Sequence, residues 1–295
     1  MKTAKINLFS IIKGLVIILL ALIFIMPFVL VLSVSVSDNE TLLKYGYTFF
    51  PKTINFSVYK AIFSNSQQLV QSYKITILYS LLASVLSVII QSMIAYSLSR
   101  RTYKYCKFLT VYLFITMLFS GGLIPSYILN SQYLHLNNTF WVYIFPGLVS
   151  TWNIIIIRTF FQGLPEGLVE ASKIDGASEF RIYAQIIMPL SKPVLATICF
   201  MTLLSKWNDW NTCLIYIRNS NLYSLQYLLQ RILREAEYLK SIANTSSGLL
   251  LTDIEAPTDV MKFAMAVLAA GPMMVAFPFF QKYFTRGLTV GSIKG

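Results

Sequence analysis

EASKIDGASEFRIYAQIIMPLSKP, residues 170–193, is the longest polar interruption in an otherwise apolar chain that still carries a regular pattern. Before Gly176, the residues Leu164, Leu168, Ala171 and Ile174 recur at helical spacing; after it, Phe180, Tyr183, Ala184, Ile187 and Leu190 do the same. The spacing predicts a pair of short amphipathic helices. Pro165 suits the first turn of the first helix, Asp175-Gly176 its C-terminal stop, and Pro189 and Pro193 the end of the second. Glycine also permits a backbone conformation between the two helices that a side chain disfavours. An elbow with an apolar face needs a groove to cover it, and too little of this chain is polar to build one. The pattern therefore predicts a second protein against the elbow.

Outward from the elbow, the composition is that of an integral membrane protein. The chain has 295 residues, 56% hydrophobic and 12% charged, where a soluble domain carries about 25% charge. The apolar residues come in runs. Residues 14–37 hold no charge, and at about 1.5 Å per residue they reach ~36 Å, enough to cross a bilayer core. The run is too long for the core of a signal peptide and lacks a small-residue cleavage site, so it reads as a retained first span. A second span over 75–99 is followed by Arg100, Arg101, Lys104 and Lys107, a short basic cluster of the kind that stays inside. Residues 108–157 contain no Lys, Arg, Asp or Glu. That run is too long for one helix. Asn130-Ser131-Gln132 and Asn137-Asn138 divide it into a third and a fourth span, and Arg158 closes the fourth on the inside. Gly121-Gly122 and Pro125 interrupt the third span. Of two readings, a kink packed by neighbours or a broken helix lining a path, the packed kink is preferred, because irregular backbone in a membrane must find protein partners. The fifth span is read over 194–217 and the sixth over 263–281, with Lys282, Arg286 and Lys294 inside. The whole reads as one all-α transmembrane domain over 14–284 with six spans. Inside segments 1–13 and 285–295 flank it, the elbow lies in an inside loop over 162–192, and outside loops cover 38–74, with short surface helices, and 218–259.

The formal net charge is +12, but the basic residues flank apolar runs instead of forming one face, which argues against nucleic-acid binding. Cys106, Cys199 and Cys213 are too scattered for a metal site and read as structural thiols; His135 reads as a solvated loop residue. There is no G-x-x-x-x-G-K-[ST] pattern and no nucleophile–base set, so the chain is not expected to be an enzyme or to hydrolyse ATP. One polar cluster falls within a span. In KWNDWN (206–211), Lys206, Asp209 and Trp210 share a helical face. Charges are costly there, and Lys206 and Asp209 are expected to pair at i,i+3. Tryptophan faces stack on the apolar C–H faces of sugars, and amides satisfy hydroxyls. Trp207, Asn208, Asp209, Trp210 and Asn211, with Trp152 and Asn153 in the fourth span, are therefore candidates for a substrate path. The rival reading is an interfacial aromatic belt.

The elbow also carries a resemblance. Glu170-Ala171-Ser172, then Gly176, Ile187 and Pro189 at this spacing, are similar to the EAA loop of bacterial ABC-importer permeases, with Ser172 where alanine is usual. FSGGLIP (119–125), NTFWVYIFPGLVSTWN (138–153), RTFF (158–161), WNDWN (207–211) and QKYFTRGLTVGSIKG (281–295) resemble the carbohydrate importers of the MalG-like and LplC-like kind, in an ordered set from the third span to the last residue. The resemblance implies the six-helix fold of type I ABC-importer permeases with cytoplasmic coupling helices, in the bacterial cytoplasmic membrane, both termini cytoplasmic. It implies a homologous second permease, two ABC ATPase subunits that hold ATP and Mg, and an extracytoplasmic substrate-binding protein met by the outer segment. The cargo implied is an oligosaccharide or complex-glycan fragment, with the partner permease supplying much of the sugar contact. No cofactor or metal belongs to this chain on that reading. ATPase coupling is assigned by the same resemblance to Glu170, Ala171, Ser172, Asp175, Gly176, Ala177, Phe180 and Pro189, and contact by the C-terminal tail to Gly291, Ser292 and Lys294. Two alternatives stay open. An importer for another small solute, such as an amino acid or phosphate, would show an unpaired Arg or Lys at mid-span. An ion-coupled secondary transporter would show matching broken helices in both halves, where the sequence shows only the third span broken.

Overall fold

The computed structural model describes residues 8–64, 66–100, 102–245 and 259–287. Among them every regular element is helical, and one isolated antiparallel bridge joins Ser37 to Ile54. The chain divides into two compact units, residues 1–66 with 229–272, and residues 67–228 with 273–295.

In the first unit, α1 (Leu8–Ser35) is apolar all round between Gly14 and Leu32, and its most apolar stretch of 18 residues is not buried within the chain. Such a surface belongs in lipid or against another membrane subunit. Two short helices follow, α2 (Asn39–Tyr45) and α3 (Ser57–Ser64), as the turn-rich composition predicts. They are tied to the end of α1 by polar contacts: the Ser33 hydroxyl donates to the Thr48 carbonyl at 2.8 Å and Tyr59 Oη to Ser35 Oγ at 3.0 Å. A small core of Val34, Leu42 and Val260 closes that end. Val260 is on α14 (Asp259–Gly287), which with α13 (Leu225–Thr245) completes this unit and continues into the other.

The second unit is built on α4 (Ser66–Ser99), 34 residues without Gly or Pro and about 51 Å long at 1.5 Å per residue. It begins at 66 instead of the predicted 75. The reason is that its polar first turns are held by protein: Gln68 Nε2 donates to the Ser220 carbonyl at 2.7 Å and Gln71 Nε2 to that of Asn221 at 3.0 Å. Ser72, Thr76, Ser80, Ser84, Ser87 and Gln91 form one buried stripe at steps of three and four, with Ser92 buried beside it. Small side chains let neighbouring helices approach, and in a membrane polar atoms turn inward.

The third predicted span is broken. α5 (Cys106–Leu118) and α6 (Leu123–Ile128), which runs on through a π turn at Leu129–Tyr133, meet at 111°. The expected packed kink is not what forms. No residue of α5 or α6 is buried, and at the bend Phe119 and Ile124 are 75% and 70% exposed. Gly122 adopts φ 84°, a left-handed conformation that lets the chain turn sharply where a proline alone would only kink it.

The fourth predicted span is not a continuous helix. A single 3-10 turn at Phe140–Tyr143 is followed by irregular chain and then by α7 (Thr151–Gln162), whose 12 residues reach only about 18 Å against a core of ~30 Å. Gly147, at φ 78°, breaks it after Pro146, while Val142, Tyr143 and Ile144 are fully buried. The elbow follows as α8 (Glu166–Ile174) and α9 (Glu179–Ile182), continued by a π turn at Tyr183–Ile187 into α10 (Met188–Leu190). The chain then bends by 80° into α11 (Lys192–Trp207). The fifth span is broken too: α12 (Asn211–Tyr216) starts only after Asn208, Asp209 and Trp210. Phe200 of α11 packs its ring on Phe277 and Phe280 of α14 at 5.8 and 4.9 Å. Among the described residues, three helices are long and apolar enough to cross a membrane, or up to five if each bent pair is one span.

Candidate functional site

The first arm of the elbow ends in a Schellman closure. Asp175 is the C-cap, the Gly176 N–H donates to the Lys173 carbonyl at 3.0 Å, and the Ala177 N–H to that of Ser172 at 3.0 Å. Gly176 sits at φ 74°, and a Cβ there would meet no atom within 4 Å. The demand for glycine is therefore one of backbone conformation, not of space. Ser178 opens the second arm by accepting from the Arg181 N–H at 3.4 Å. Pro189, which has no N–H to give, follows the π turn and lies within the second arm instead of ending it.

The apolar positions of the elbow split into two sets. Val169, Ile182, Tyr183 and Ile187 pack in this chain's own core with Ala95 and Leu98 of α4, Ile154 and Ile157 of α7, and Ile198 of α11. Leu168, Ile174 and Phe180 are 43%, 87% and 67% exposed, and Glu170 and Ala171 beside them are exposed. The expectation that a second protein covers the stripe is thus narrowed: Tyr183 and Ile187 of that stripe are covered by the chain itself, because the second arm lies against α4.

Two residues that sequence reasoning missed make that attachment. Glu179 Oε1 pairs with Lys173 Nζ at 2.7 Å, and Glu179 Oε2 accepts from Tyr96 Oη at 2.6 Å. The Lys173 ammonium first, then the Tyr96 hydroxyl, hold this carboxyl below its usual range. One helical turn on, the Tyr183 hydroxyl and Ser92 Oγ share a buried hydrogen bond of 2.7 Å. No local signal marks these pairs, since Tyr96 and Glu179 are 83 residues apart in sequence.

The second candidate locus is the break in the fifth span. The predicted Lys206–Asp209 pair does not form. Lys206 Nζ donates instead to the carbonyls of Tyr143 and Pro146 at 2.7 and 3.0 Å. Asp209 accepts from the Thr212 N–H at 3.0 Å and the Thr212 hydroxyl at 2.6 Å, capping α12. The i,i+3 geometry was lost when the helix stopped at Trp207. Trp207 is 2% exposed and its ring lies 6.5 Å from that of Tyr73, so it offers no face to a sugar. Asn208 and Asn211 are exposed, Asp209, Trp210 and Asn153 are half-buried, and Trp152 is 59% exposed. Trp152 stands on α7, where Thr151 and Thr116 of α5 place their hydroxyls 3.4 Å apart. Gly291, Ser292 and Lys294 lie outside the described residues. Among the described residues, no group of three His, Cys, Asp or Glu converges on a metal position.

The model of the family described as "Binding-protein-dependent transport system inner membrane component" matches residues 106–290. Protein LplC of Bacillus subtilis (strain 168) is 34% identical over 271 residues, covering 92% of this chain and 90% of that protein. The polygalacturonan/rhamnogalacturonan transport system permease protein YtcP of the same organism is 32% identical over 276 residues, covering 93% of this chain and 94% of its own. The arabinooligosaccharides transport system permease protein AraQ, also of Bacillus subtilis, is 28% identical over 281 residues, with 94% and 93% covered. Among solved structures, a chain of a bacterial ABC transporter involved in the import of the acidic polysaccharide alginate superposes with a TM-score of 0.78 at 26% identity, covering 96% of this chain and 99% of that one.

Proposed function

The chain belongs to the binding-protein-dependent inner-membrane components of ABC importers, and from that premise we propose that it moves an oligosaccharide or complex-glycan fragment inward and takes its power through the elbow. As a member of that family it is an integral membrane permease subunit, not an enzyme, and it works with an ATPase and a substrate-binding protein. The choice of cargo rests on the relatives: those for polygalacturonan/rhamnogalacturonan and for arabinooligosaccharides, and the alginate importer, all handle complex glycans. The Lys206 ammonium, occupied by two backbone carbonyls, is not the free mid-span cation that an amino-acid or phosphate site would show.

On this reading the chain makes six crossings of the bacterial cytoplasmic membrane with both termini inside. The bent pair α5–α6 serves as the third crossing, residues 140–162 as the fourth, and α11–α12 as the fifth. Loops 38–74 and 218–259 face outward, the second toward the substrate-binding protein. The chain pairs with a homologous second permease. Two ATPase subunits bind ATP and Mg and grip the elbow through Glu170, Ala171, Ser172, Asp175, Gly176, Ala177, Phe180 and Pro189, with Gly291, Ser292 and Lys294 of the tail alongside. Asn208, Asp209, Trp210, Asn211, Trp152 and Asn153 stand along the path.

The observation that carries the proposal is the bare apolar patch of Leu168, Ile174 and Phe180 around the Gly176 closure. A family that borrows its ATPase needs an exposed, rigid, shaped handle, and this patch is one. A bulky residue at Gly176 disfavours the left-handed conformation the closure requires by about 1–2 kcal/mol, so the handle changes shape without losing its surface. Gly176→Leu in the reconstituted importer is expected to leave assembly intact and cut sugar-stimulated ATPase activity and uptake together. Full stimulation in that variant counts against the elbow as the coupling joint.

A further inference from the structure

We propose that α4 is the rod that carries movement of the elbow to the break in the fifth span, and that Tyr96 and Tyr183 are the positioning residues through which the elbow holds it. The inference rests on the reading of the elbow as the ATPase handle. Three observations carry it.

The first is the attachment. Ser92 meets Tyr183 and Tyr96 meets Glu179 at 2.7 and 2.6 Å. Each helix advances by four residues between the two contacts, in opposite directions, so they are two rungs one turn apart. One hydrogen bond leaves a helix free to swivel about it. Two rungs fix orientation, and the Tyr96 and Tyr183 rings, 5.4 Å apart, fill the space between them.

The second is stiffness. Of the three continuous helices long enough to span among the described residues, α4 alone lacks both Gly and Pro: α1 carries Gly14 and Pro27, and α14 carries Gly271, Pro272 and Pro278. Those residues are where helices bend.

The third is what α4 holds at its other end. From Tyr96 to Tyr79 is about 25 Å along the helix, most of a membrane core. Tyr79 Oη donates to the Lys206 carbonyl at 3.0 Å, in the last turn before the break. Its ring stacks on Tyr143 at 4.3 Å, whose carbonyl receives Lys206 Nζ at 2.7 Å. A turn further, Thr76 Oγ1 accepts from the Leu225 N–H at 2.8 Å, and the adjacent Ser224 donates to the Asp209 carbonyl at 3.1 Å. The break at Asn208–Trp210 is thus held at Lys206 directly and at Asp209 through Ser224 and Leu225 by one helix without Gly or Pro, whose other end is held by the elbow.

The rungs can be removed while Ser92 and Glu179 each keep another partner. In Tyr96→Phe/Tyr183→Phe the rings remain, Ser92 keeps its bond to the Ile89 carbonyl at 3.0 Å, and Glu179 keeps Lys173. The test is hydrogen exchange on the assembled importer, with its ATPase subunits and partner permease in nanodiscs, before and after trapping with ATP and vanadate. In the wild type, residues 165–190 and 206–211 both change on trapping. In the double variant the change at 165–190 persists, and that at 206–211 shrinks by about twofold or more. Tyr96→Phe alone, which touches only the outer rung, gives a partial loss and serves if the double variant assembles poorly. A segment 206–211 that responds equally in these variants, or not at all in the wild type, overturns the rod. Absence of ATPase-dependent protection at 165–190 in the wild type overturns the handle itself, which is a separate failure.

Discussion

Glu179 shows how much of the elbow depends on single atoms. Its two oxygens bind Lys173 on the arm before Gly176 and Tyr96 on α4, so one carboxylate closes the corner of the elbow. Because Lys173 first and Tyr96 next lower its pKa, its contribution to stability is fully present above the ordinary carboxylate pKa and is lost as pH falls through the lowered value. The thermal midpoint in detergent should therefore drop on acidification below about pH 4.5, and Glu179→Gln should remove that part of the drop. A Gln variant that follows the same acid profile as the wild type would show that other carboxylates dominate. Its half-exposed position makes the effect modest. Of the two residues that shape the corner, Gly176 was legible and Glu179 was not. A glycine between two amphipathic stretches announces a left-handed closure from sequence alone. A glutamate beside it looks like any solvated charge until the fold brings up Tyr96.

At the scale of elements, the sequence was read well where chain chemistry is local and poorly where a charge-free run was taken as a helix. The elbow, the first span and the short helices after it follow from periodicity, Gly and Pro. Pro146-Gly147 in the fourth span carried equal information, but absence of charge outweighed it, and the observed helix is 12 residues long. In the fifth span residues 208–210 are not helical, so the i,i+3 spacing of Lys206 and Asp209 does not bring the two side chains together. Asp209 reads correctly as an N-terminal cap of α12, its carboxylate accepting from Thr212 three residues on. As a cap, Asp209→Ala should cost about 1 kcal/mol, and Asp209→Asn should restore most of it, since an amide oxygen also accepts from the Thr212 N–H. Thermal unfolding of the purified variants distinguishes this from an ion pair with Lys206, for which Asn would be as harmful as Ala.

Over the whole molecule, two kinds of bare apolar surface coexist. Along α1 the most apolar stretch of 18 residues is not covered by the chain, and lipid or a neighbouring membrane subunit satisfies it without special shape. On the elbow, Ile174 and Phe180 are 87% and 67% exposed on short polar helices with charged neighbours, where lipid does not supply the cover. Composition makes the first kind obvious; only the split of the elbow's stripe into a buried and a bare half reveals the second. The bare half lies outside this chain's own core, with only the Phe180 ring reaching Tyr183 at 6.2 Å, so Ile174→Ser with Phe180→Ser should leave its thermal midpoint in detergent near the change expected of surface substitutions, about 0.5 kcal/mol each. Binding should respond differently. Large apolar side chains centred in an interface cost about 2 kcal/mol or more when lost, some thirtyfold in affinity, so the ATPase subunits should fail to co-purify with the double variant at concentrations that retain the wild type. A lowered midpoint with undiminished co-purification would reverse the assignment, making these side chains part of the fold and placing the motor's grip elsewhere.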